Sequence, residues 1–384
     1  MDTMSINPFT LEHDAYRNGL RHFIDQEIRP HLSEWRAAGH PPPIKQILRQ
    51  LGEAGYLSAT FTEQYGGAAL DYWYNVILHE ELARLPNGAI GMSVASHLDI
   101  ATSLVAKYAR KELAADWVPS AIQGESLLAL ALTEENAGSD LSNVQTTAVQ
   151  EGDGYILQGR KTFISNGVSA DAYCVLAQTA NKQGDPVPTL FFVPKSSPGV
   201  AVVRNLPTLG NRGDIAEIEF DRVKIAPQQV IGGLGFGLFI QMKQFFQERT
   251  IIAIRMAAMA RYHVDLTIEH SKKRRTFGKP LSSNQHVQFT LAQLITEIES
   301  VKQFSYGCIR KMSTPNENMA DAAMAKYAGG KLVRKVADQC LQLFGGEGYL
   351  DDHPISLFFR DARALSLAGG TDEMMLNMIA KVEC

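Results

Sequence analysis

The chain has 384 residues, which is long enough for about two or three cooperating units around a sizeable core. Hydrophobic residues make up 45% and charged residues 20% of the sequence, as is typical of a globular protein. The net charge of −4 excludes the strongly basic surface of a nucleic-acid-binding protein. No stretch approaches about 18 uninterrupted apolar residues, so the sequence predicts no membrane span.

The first residues and the cysteines bear on where the protein resides. Met1–Ser5 lack the basic and apolar regions of a signal peptide. The cysteines have no Cys-x-x-Cys spacing, which indicates reduced thiols and supports neither a zinc site nor a disulfide framework. We therefore expect a cytoplasmic protein. The four cysteines are Cys174, Cys308, Cys340 and Cys384.

The chain changes character twice along its length. From residue 14 to about residue 128, apolar residues recur every three or four positions, which predicts helices. From residue 129 to about residue 230, short β-branched runs separated by turn residues predict strands, with a hairpin turn at Glu151–Gly154. From about Phe239 the pattern is helical again. We place the domain limits at residues 1–128, 129–235 and 236–384, with a cleft where the three meet.

Two motifs of other families fail on inspection. After His79, Ala83 stands where a zinc protease needs its second histidine. The glycine-rich segment Gly232–Gly237 lacks the Gly-x-Gly-x-x-Gly spacing, and no βαβ unit surrounds it. We therefore interpret it as a linker that opens the next helix.

Two segments of the predicted β domain are rich in small residues and hydroxyls. They are Ala131–Asp140 and Lys161–Gly167. Such turns present backbone N–H groups and hydroxyls to a flat polar ligand, and Phe163 could cover its face. Ordinary turns and caps give the same pattern, so the segments alone do not decide between the two.

A carboxylate stands out in the third part of the chain. Glu248 has Phe245 three positions before it, and Ile251 and Ile252 follow three and four positions later, so it lies on or beside an apolar stripe. Apolar surroundings raise the pKa of a carboxyl, which suits a general base near neutral pH. The alternative is a buried ion pair with Arg249, and the helix pattern alone favours that alternative.

Taken together, these segments resemble the acyl-CoA dehydrogenase family of flavoenzymes, and the resemblance extends through nearly the whole chain. It implies an α+β protein with an N-terminal helical domain, a small β-barrel-like middle domain and a C-terminal four-helix bundle domain. It also implies the α,β-dehydrogenation of an acyl thioester to a trans-2-enoyl thioester. In this family a glutamate takes the α-proton, N5 of FAD takes the β-hydride, and electrons pass to electron-transfer flavoprotein.

The resemblance also implies the position of the base. In most members the glutamate precedes a Gly-Thr pair, and the corresponding residue here is Gly369. The isovaleryl and long-chain branches carry glycine there and place the base on the earlier helix, before an arginine. Glu248 followed by Arg249 matches that arrangement, so Glu248 is the implied catalytic residue. Arg249 and Gly369 are implied substrate contacts, and the Gly369 N–H would donate to the thioester oxygen.

FAD contacts in the β domain follow from the same resemblance. The backbone of Leu132 and Thr133 takes the place of contacts to the pyrimidine edge of the flavin. Ser139 falls where the family contacts the flavin or the bound thioester. Phe163 replaces the more common tryptophan near the flavin, and Ser165 replaces a threonine near N5.

The basic segment Arg274–Lys279 matches a further family motif. By itself it would be a solvated helix end, where cations offset the helix dipole. In the family, its first arginine crosses a dimer interface to the FAD pyrophosphate, which suits the planar guanidinium. The resemblance thus implies a homo-oligomer, with a tetramer formed as a dimer of dimers. The further implied FAD contacts are Arg274, Thr276, Phe277, Gln285, Gln342, Gly346, Thr371 and Glu373.

Several alternatives remain open on the sequence. An acyl-CoA oxidase, or a dehydrogenase of aminoacyl groups on a carrier protein, would use the same residues. A flavin monooxygenase on the same scaffold needs no α-proton base, and a non-catalytic FAD binder needs neither base nor donors. The acyl chain is not defined, although Phe245 and residues 57–65 and 98–104 are candidates for its pocket.

Overall fold

We describe a computed structural model of the protein. It describes residues 7–38, 41–210 and 213–384, so the prediction about a signal peptide, which concerns Met1–Ser5, lies outside these residues. The N-terminal part is helical because apolar side chains repeat on one face of each amphipathic segment, as in the helix that begins at Ile44. Its helices are α1 (Leu11–Phe23), α2 (Leu32–Ala37), α3 (Ile44–Glu53), α4 (Trp73–Leu82), α5 (Gly88–Ala95), α6 (Ser103–Tyr108) and α7 (Lys111–Ile122).

Helices α5 and α6 form one continuous rod through the π-helical stretch Ser96–Thr102. The rod, Gly88–Tyr108, is the only helix of the described residues long and apolar enough to pass a test for a membrane span, with a mean hydropathy of 1.3. However, 78% of its apolar window is buried inside the protein. This is the behaviour of a core helix.

The middle part is a single eight-stranded sheet in the order β6-β7-β3-β2-β4-β5-β8, with β1 beside β4. Strand β2 pairs antiparallel with β3, and Glu151 faces Gly154, which confirms the predicted hairpin turn. Strand β4 is buried along almost its whole length, and its aliphatic and aromatic side chains join the core. The strands are β1 (Leu128–Ala131), β2 (Thr147–Glu151), β3 (Gly154–Ser165), β4 (Ala172–Ala180), β5 (Pro186–Pro194), β6 (Val200–Asn205), β7 (Ile215–Ile225) and β8 (Val230–Ile231).

The C-terminal part is built around one helix of 37 residues, α8, which is buried on several sides. It contacts α9, α10 and α11 of its own bundle, and also α4 of the N-terminal part and β5 of the sheet. Helix α8 therefore contacts all three parts of the fold. The C-terminal helices are α8 (Gly237–Lys273), α9 (Gln285–Lys311), α10 (Met319–Phe344), α11 (Pro354–Leu365) and α12 (Asp372–Glu383).

The predicted fold class is confirmed: helical, β and helical parts follow one another in that order. The segment Gly232–Gly237 leads directly into α8, as expected for a linker. The domain limits at residues 128 and 235 stay predictions, since both fall in or beside short connections.

Candidate active site

Glu248 and Gly369 lie together although 121 positions separate them in the sequence. A Cβ atom built on Gly369 would be 3.3 Å from Glu248 Oε1 and 2.8 Å from Ile252 Cδ1. The Glu248 side chain on α8 thus reaches the backbone of the loop between α11 and α12. Glu248 is 8% exposed, and Glu248 Oε2 has no hydrogen-bond partner among the described residues. A buried oxygen without a partner is available to a ligand.

The alternative interpretation of Glu248 is a buried ion pair with Arg249. Among the described residues, Arg249 forms no salt bridge with Glu248. Its Nε lies 3.4 Å from the carbonyl oxygen of Gly369, and its Nη1 lies 3.1 Å from Met378 Sδ. Its guanidinium also lies 4.5 Å from the centre of the Phe245 ring. Arg249 and Glu248 therefore both lie beside the Gly369 loop, but Arg249 contacts the loop carbonyl and the Glu248 carboxylate is left without an ion-pair partner among the described residues.

The surroundings of Glu248 change its acidity. Burial raises the pKa of Glu248 to about 7, although the cations of Arg249 and Lys326 act in the opposite direction. Asp99 raises the pKa further. A carboxyl with this pKa is ionised in part at neutral pH and can accept a proton from a weakly acidic carbon.

A second group of residues lies at the end of β1 and along β3. The N–H of Thr162 donates to the carbonyl oxygen of Thr133 at 2.9 Å, so the two predicted flavin segments are joined. The ammonium group of Lys161 lies 2.9 Å from the Leu132 carbonyl oxygen and 2.6 Å from Glu134 Oε1. Both partners of this ion pair are buried. The backbone carbonyl groups of Leu132 and Thr133 are therefore both held by hydrogen bonds from β3.

Glu134 completes this arrangement. It accepts hydrogen bonds from the backbone N–H groups of Gln145 and Thr146. Burial alone would raise the pKa of Glu134, but the Lys161 cation and these bonds outweigh burial and lower it. Neither Glu134 nor Lys161 is predicted as a site residue from the sequence. A lysine between strand residues was the only signal, and exposed lysines give the same one.

Phe163 has an unusual backbone. Its φ is 56°, and it lies in a stretch of β3 where the pairing with β7 shifts register between Lys161 and Ile164. A left-handed conformation is uncommon for a bulky residue, and residues with such strained backbones cluster at active sites and ligand clamps. The ring is 65% exposed, and the half-buried Ser165 follows two positions later. An exposed flat ring beside hydroxyl and backbone groups fits the edge and face of a flavin, while Ser139 is exposed on the preceding loop.

The Arg274 segment forms a hairpin after α8. Strands β9 (Arg275–Thr276) and β10 (Lys279–Pro280) pair across a turn at Phe277 and Gly278, whose φ values are 49° and 80°. Positive φ at both central residues is the geometry of a tight hairpin turn. Arg274 is exposed, and the Phe277 side chain is fully exposed at 105%. Gln285, also exposed, begins α9.

The remaining predicted FAD contacts lie in two further places. Gln342 and Gly346 are exposed near the end of α10, and that end approaches the base of the hairpin, where His270 stacks on Phe344 at 4.1 Å. Thr371 caps α12 and accepts a hydrogen bond from the N–H of Met374, and Glu373 is exposed in the first turn. The roles of these residues stay predictions.

The single chain does not unite all of these groups. Strand β10 packs on α8, and the short turn that follows it, Leu281–Ser283, packs on α8 and α9. Among the described residues, the substantial contacts of the hairpin do not include β1 or β3. Arg274 and Phe277 therefore form a surface of their own, apart from the Leu132 and Phe163 group. The predicted contact of Arg274 with the FAD of a neighbouring protomer stays a prediction.

The stretches predicted to line the acyl pocket contribute to one cavity. Its volume is ≈ 830 Å³, and its walls include residues 60–62, Leu98 and Asp99. Phe245 is not among its walls; Phe246 takes that place. The cavity also holds Gln244 and Gln247, whose carboxamides donate to the Asp99 carbonyl oxygen. This wall is polar, which the sequence analysis did not predict.

Comparisons with known proteins agree with this architecture. The acyl-CoA dehydrogenase N-terminal, middle and C-terminal domain models match residues 10–125, 129–223 and 235–383. Long-chain specific acyl-CoA dehydrogenase from Sus scrofa is 33% identical over 376 residues, covering 97% of this chain and 86% of that protein. Isovaleryl-CoA dehydrogenase from Oryza sativa subsp. japonica is 28% identical over 369 residues, covering 96% and 90%.

A solved structure leads to the same conclusion. The acyl-CoA dehydrogenase of Geobacillus kaustophilus superposes with a TM-score of 0.91 at 34% identity, covering 99% of this chain and 100% of that one. The chain therefore belongs to the acyl-CoA dehydrogenase family of FAD-dependent oxidoreductases, which dehydrogenate acyl-CoA thioesters.

Proposed function

We propose that this enzyme uses Glu248 as its base and converts an acyl thioester into the trans-2-enoyl thioester. The observation that supports this proposal is the contact between a buried carboxylate and the glycine that stands at the more common base position. The two alternative sites of the family would thus address the same α-carbon. Relatives named long-chain specific and isovaleryl-CoA dehydrogenase belong to the branches for which the resemblance implies a base on this helix, and this supports the proposal.

The residues of the chain would act as follows. Gly369 presents its backbone N–H to the thioester carbonyl, which makes the α-proton more acidic as negative charge develops on the oxygen. Glu248 accepts that proton. Arg249 and the Phe245 ring keep the loop and the helix in register, and the apolar contacts around Ile252 exclude water from the base. Leu132, Thr133, Phe163 and Ser165 would hold FAD, which when bound would supply the acceptor for the β-hydride.

A substrate screen tests the proposal. Purified enzyme is mixed anaerobically with saturated thioesters of CoA and of a carrier protein, and the loss of flavin absorbance is recorded. We expect bleaching by at least one of them, with the matching 2-enoyl product. A flavin that no saturated thioester bleaches, but that a reduced nicotinamide and oxygen turn over, would point to a monooxygenase instead.

The same preparation distinguishes dehydrogenase from oxidase. We propose electron-transfer flavoprotein as the acceptor, because the family resemblance implies it. Phe163 departs from the family's tryptophan but keeps an exposed flat ring at that position. Reduced enzyme should therefore transfer electrons to that flavoprotein faster than to oxygen. Faster reoxidation by oxygen would assign the chain to the acyl-CoA oxidases.

We also propose a homotetramer built as a dimer of dimers. We place the enzyme in the cytoplasm, where the free thiols stay reduced.

Replacing Arg274 by alanine should lower FAD retention, since an exposed guanidinium in this position suits the pyrophosphate of a neighbouring protomer. FAD per protomer after gel filtration measures the effect, and Lys273→Ala, one residue earlier, is the control. Full FAD occupancy in a monomeric Arg274→Ala variant would exclude the cross-subunit contact.

A further inference from the structure

The loop that carries Gly369 has little regular structure of its own. It runs from Ser366 to Gly370 between α11 and α12, and Gly369 and Gly370 have φ values of 66° and 99°. Such a segment has many conformations open to it, so other groups must fix it. The position of the Gly369 N–H relative to Glu248 depends on those groups.

One stripe of α10 faces this loop. Lys326, Gly330 and Arg334 are spaced four residues apart, so they lie above one another on one side of the helix. A Cβ atom on Gly330 would be 3.4 Å from Ser366 Cβ, which shows how closely the helix approaches. Arg334 Nη2 lies 2.5 Å from an oxygen of Asp372, the first residue of α12.

Lys326 makes the central contact of this stripe. Its ammonium group donates to the carbonyl oxygen of Gly370 and, at 3.3 Å, to that of Ser366. It therefore holds both ends of the segment that contains Gly369. The residue is 0% exposed, and no carboxylate of the described residues lies within ion-pair distance of its ammonium group. Burial of a lysine without a paired anion is costly, and among the described residues the two carbonyl oxygens are the only hydrogen-bond partners of Lys326.

We propose that Lys326 is a positioning residue for the reaction: it fixes the turn at Gly369 and supplies a positive charge near the carboxylate of Glu248. The inference rests on the proposed role of Glu248 as the base. Lys326 would touch neither substrate nor FAD. It would act through the Gly369 N–H, whose position it fixes, and through Glu248, whose charge it stabilises.

Several charged groups surround the two side chains. The cations of Arg249 and Lys326 lower the pKa of Glu248, whereas Asp99 raises it. Burial lowers the pKa of Lys326 to about 8, with Asp372 and Glu248 opposing this and Arg249 and Arg334 adding to it. At neutral pH Lys326 is thus mostly charged. Removing its charge removes one of the two cations that keep the pKa of Glu248 from rising further.

The test compares three variants of the holoenzyme. Lys326→Met keeps an unbranched side chain, one atom shorter, but has neither charge nor donor, and Lys326→Arg keeps both. Lys331→Met changes an exposed lysine on the same helix and serves as the control. For each, the rate of flavin reduction by the best thioester of the screen is measured against pH. Exchange of the α-proton of that thioester in D2O, followed by mass spectrometry, reports the base and donor directly.

For Lys326→Met we expect exchange and flavin reduction to slow about 10- to 100-fold, as small misplacements near a reacting atom do. The midpoint of the pH profile should move to higher pH. Lys326→Arg should recover part of the rate and of the midpoint, and Lys331→Met should match the wild type. Equal melting temperatures, or a stable Lys326→Arg with restored profile, separate this effect from misfolding.

Two results would overturn the inference. One is a folded Lys326→Met enzyme whose pH profile and exchange rate equal those of the wild type. The other is a Lys326→Met enzyme that loses rate while the midpoint of its pH profile stays in place, together with a Lys326→Arg enzyme that does not recover the rate. If the wild type itself fails to exchange the α-proton or to reduce its flavin with any thioester, the proposed function fails, and that outcome is visible before any variant is made.

Discussion

Replacing Glu248 by glutamine is expected to slow flavin reduction by a substrate thioester about 10²–10⁴-fold, which is the usual cost of losing a general base. The amide keeps the size and polarity of the side chain but cannot accept the α-proton, so FAD and thioester should still bind. Stopped-flow reduction and thioester titration measure the two effects separately. Glu269→Gln, an exposed position on the same helix, is the control.

The pH dependence of the wild type belongs to the same test. Only the ionised carboxylate accepts a proton, and burial raises the pKa of Glu248 to about 7. The rate of reduction should therefore rise between pH 6 and pH 8, with a midpoint near 7. A Glu248→Gln enzyme that reduces its flavin at the wild-type rate would leave Glu248 a structural residue only.

Moving the base offers a stricter check. The double variant Glu248→Gly with Gly369→Glu should regain part of the activity, because the two positions are in contact. Recovery should be incomplete for two reasons. Gly369 has a φ of 66°, which a glutamate adopts at a cost, and its Cβ would press on Ile252.

The second large effect is expected at Lys161. Lys161→Met leaves the carboxylate of Glu134 buried without its cation, and breaking such a pair typically costs about 3–5 kcal/mol of stability. The Leu132 carbonyl oxygen loses its donor at the same time, so FAD should be retained less well. Thermal denaturation and FAD content after gel filtration measure both losses.

A second substitution, Glu134→Gln, removes the carboxylate that Lys161→Met leaves without its cation. Lys161→Met combined with Glu134→Gln should recover much of the stability, since no uncompensated anion remains. Lys224→Met, an exposed lysine on β7, is the matched control. Equal melting temperatures for wild type and Lys161→Met would show that the pair does not hold the β1 turn.

The sequence predicted the order of helical, β and helical parts because periodicity is a local property. The contact between Glu248 and Gly369 was anticipated only through the family resemblance, since nothing local links the two. Lys326 was missed for a physical reason: an isolated lysine among alanines is typical of an exposed helix face. Its burial is decided by the loop that packs over it, which no local pattern encodes.

The unusual backbone of Phe163 was equally invisible, since a left-handed residue is signalled in sequence by glycine or asparagine and here the residue is aromatic. The buried pair of His79 and Asp99, 2.6 Å apart, was also missed. The sequence showed His79 only as half of an absent metal motif. In the fold it fastens α4 to the π-helical stretch.

Phe163 also bears on how this enzyme could be engineered. Holding a bulky residue in the left-handed region costs of order 1–3 kcal/mol, and the paired strands on either side supply the compensation. Glycine at this position would relax the backbone and, on that account, make the protein more heat-resistant. The ring that faces outward would be lost with it. Selection for thermal tolerance alone would therefore favour exchanging this residue, and in doing so would remove the aromatic surface that we propose positions the cofactor.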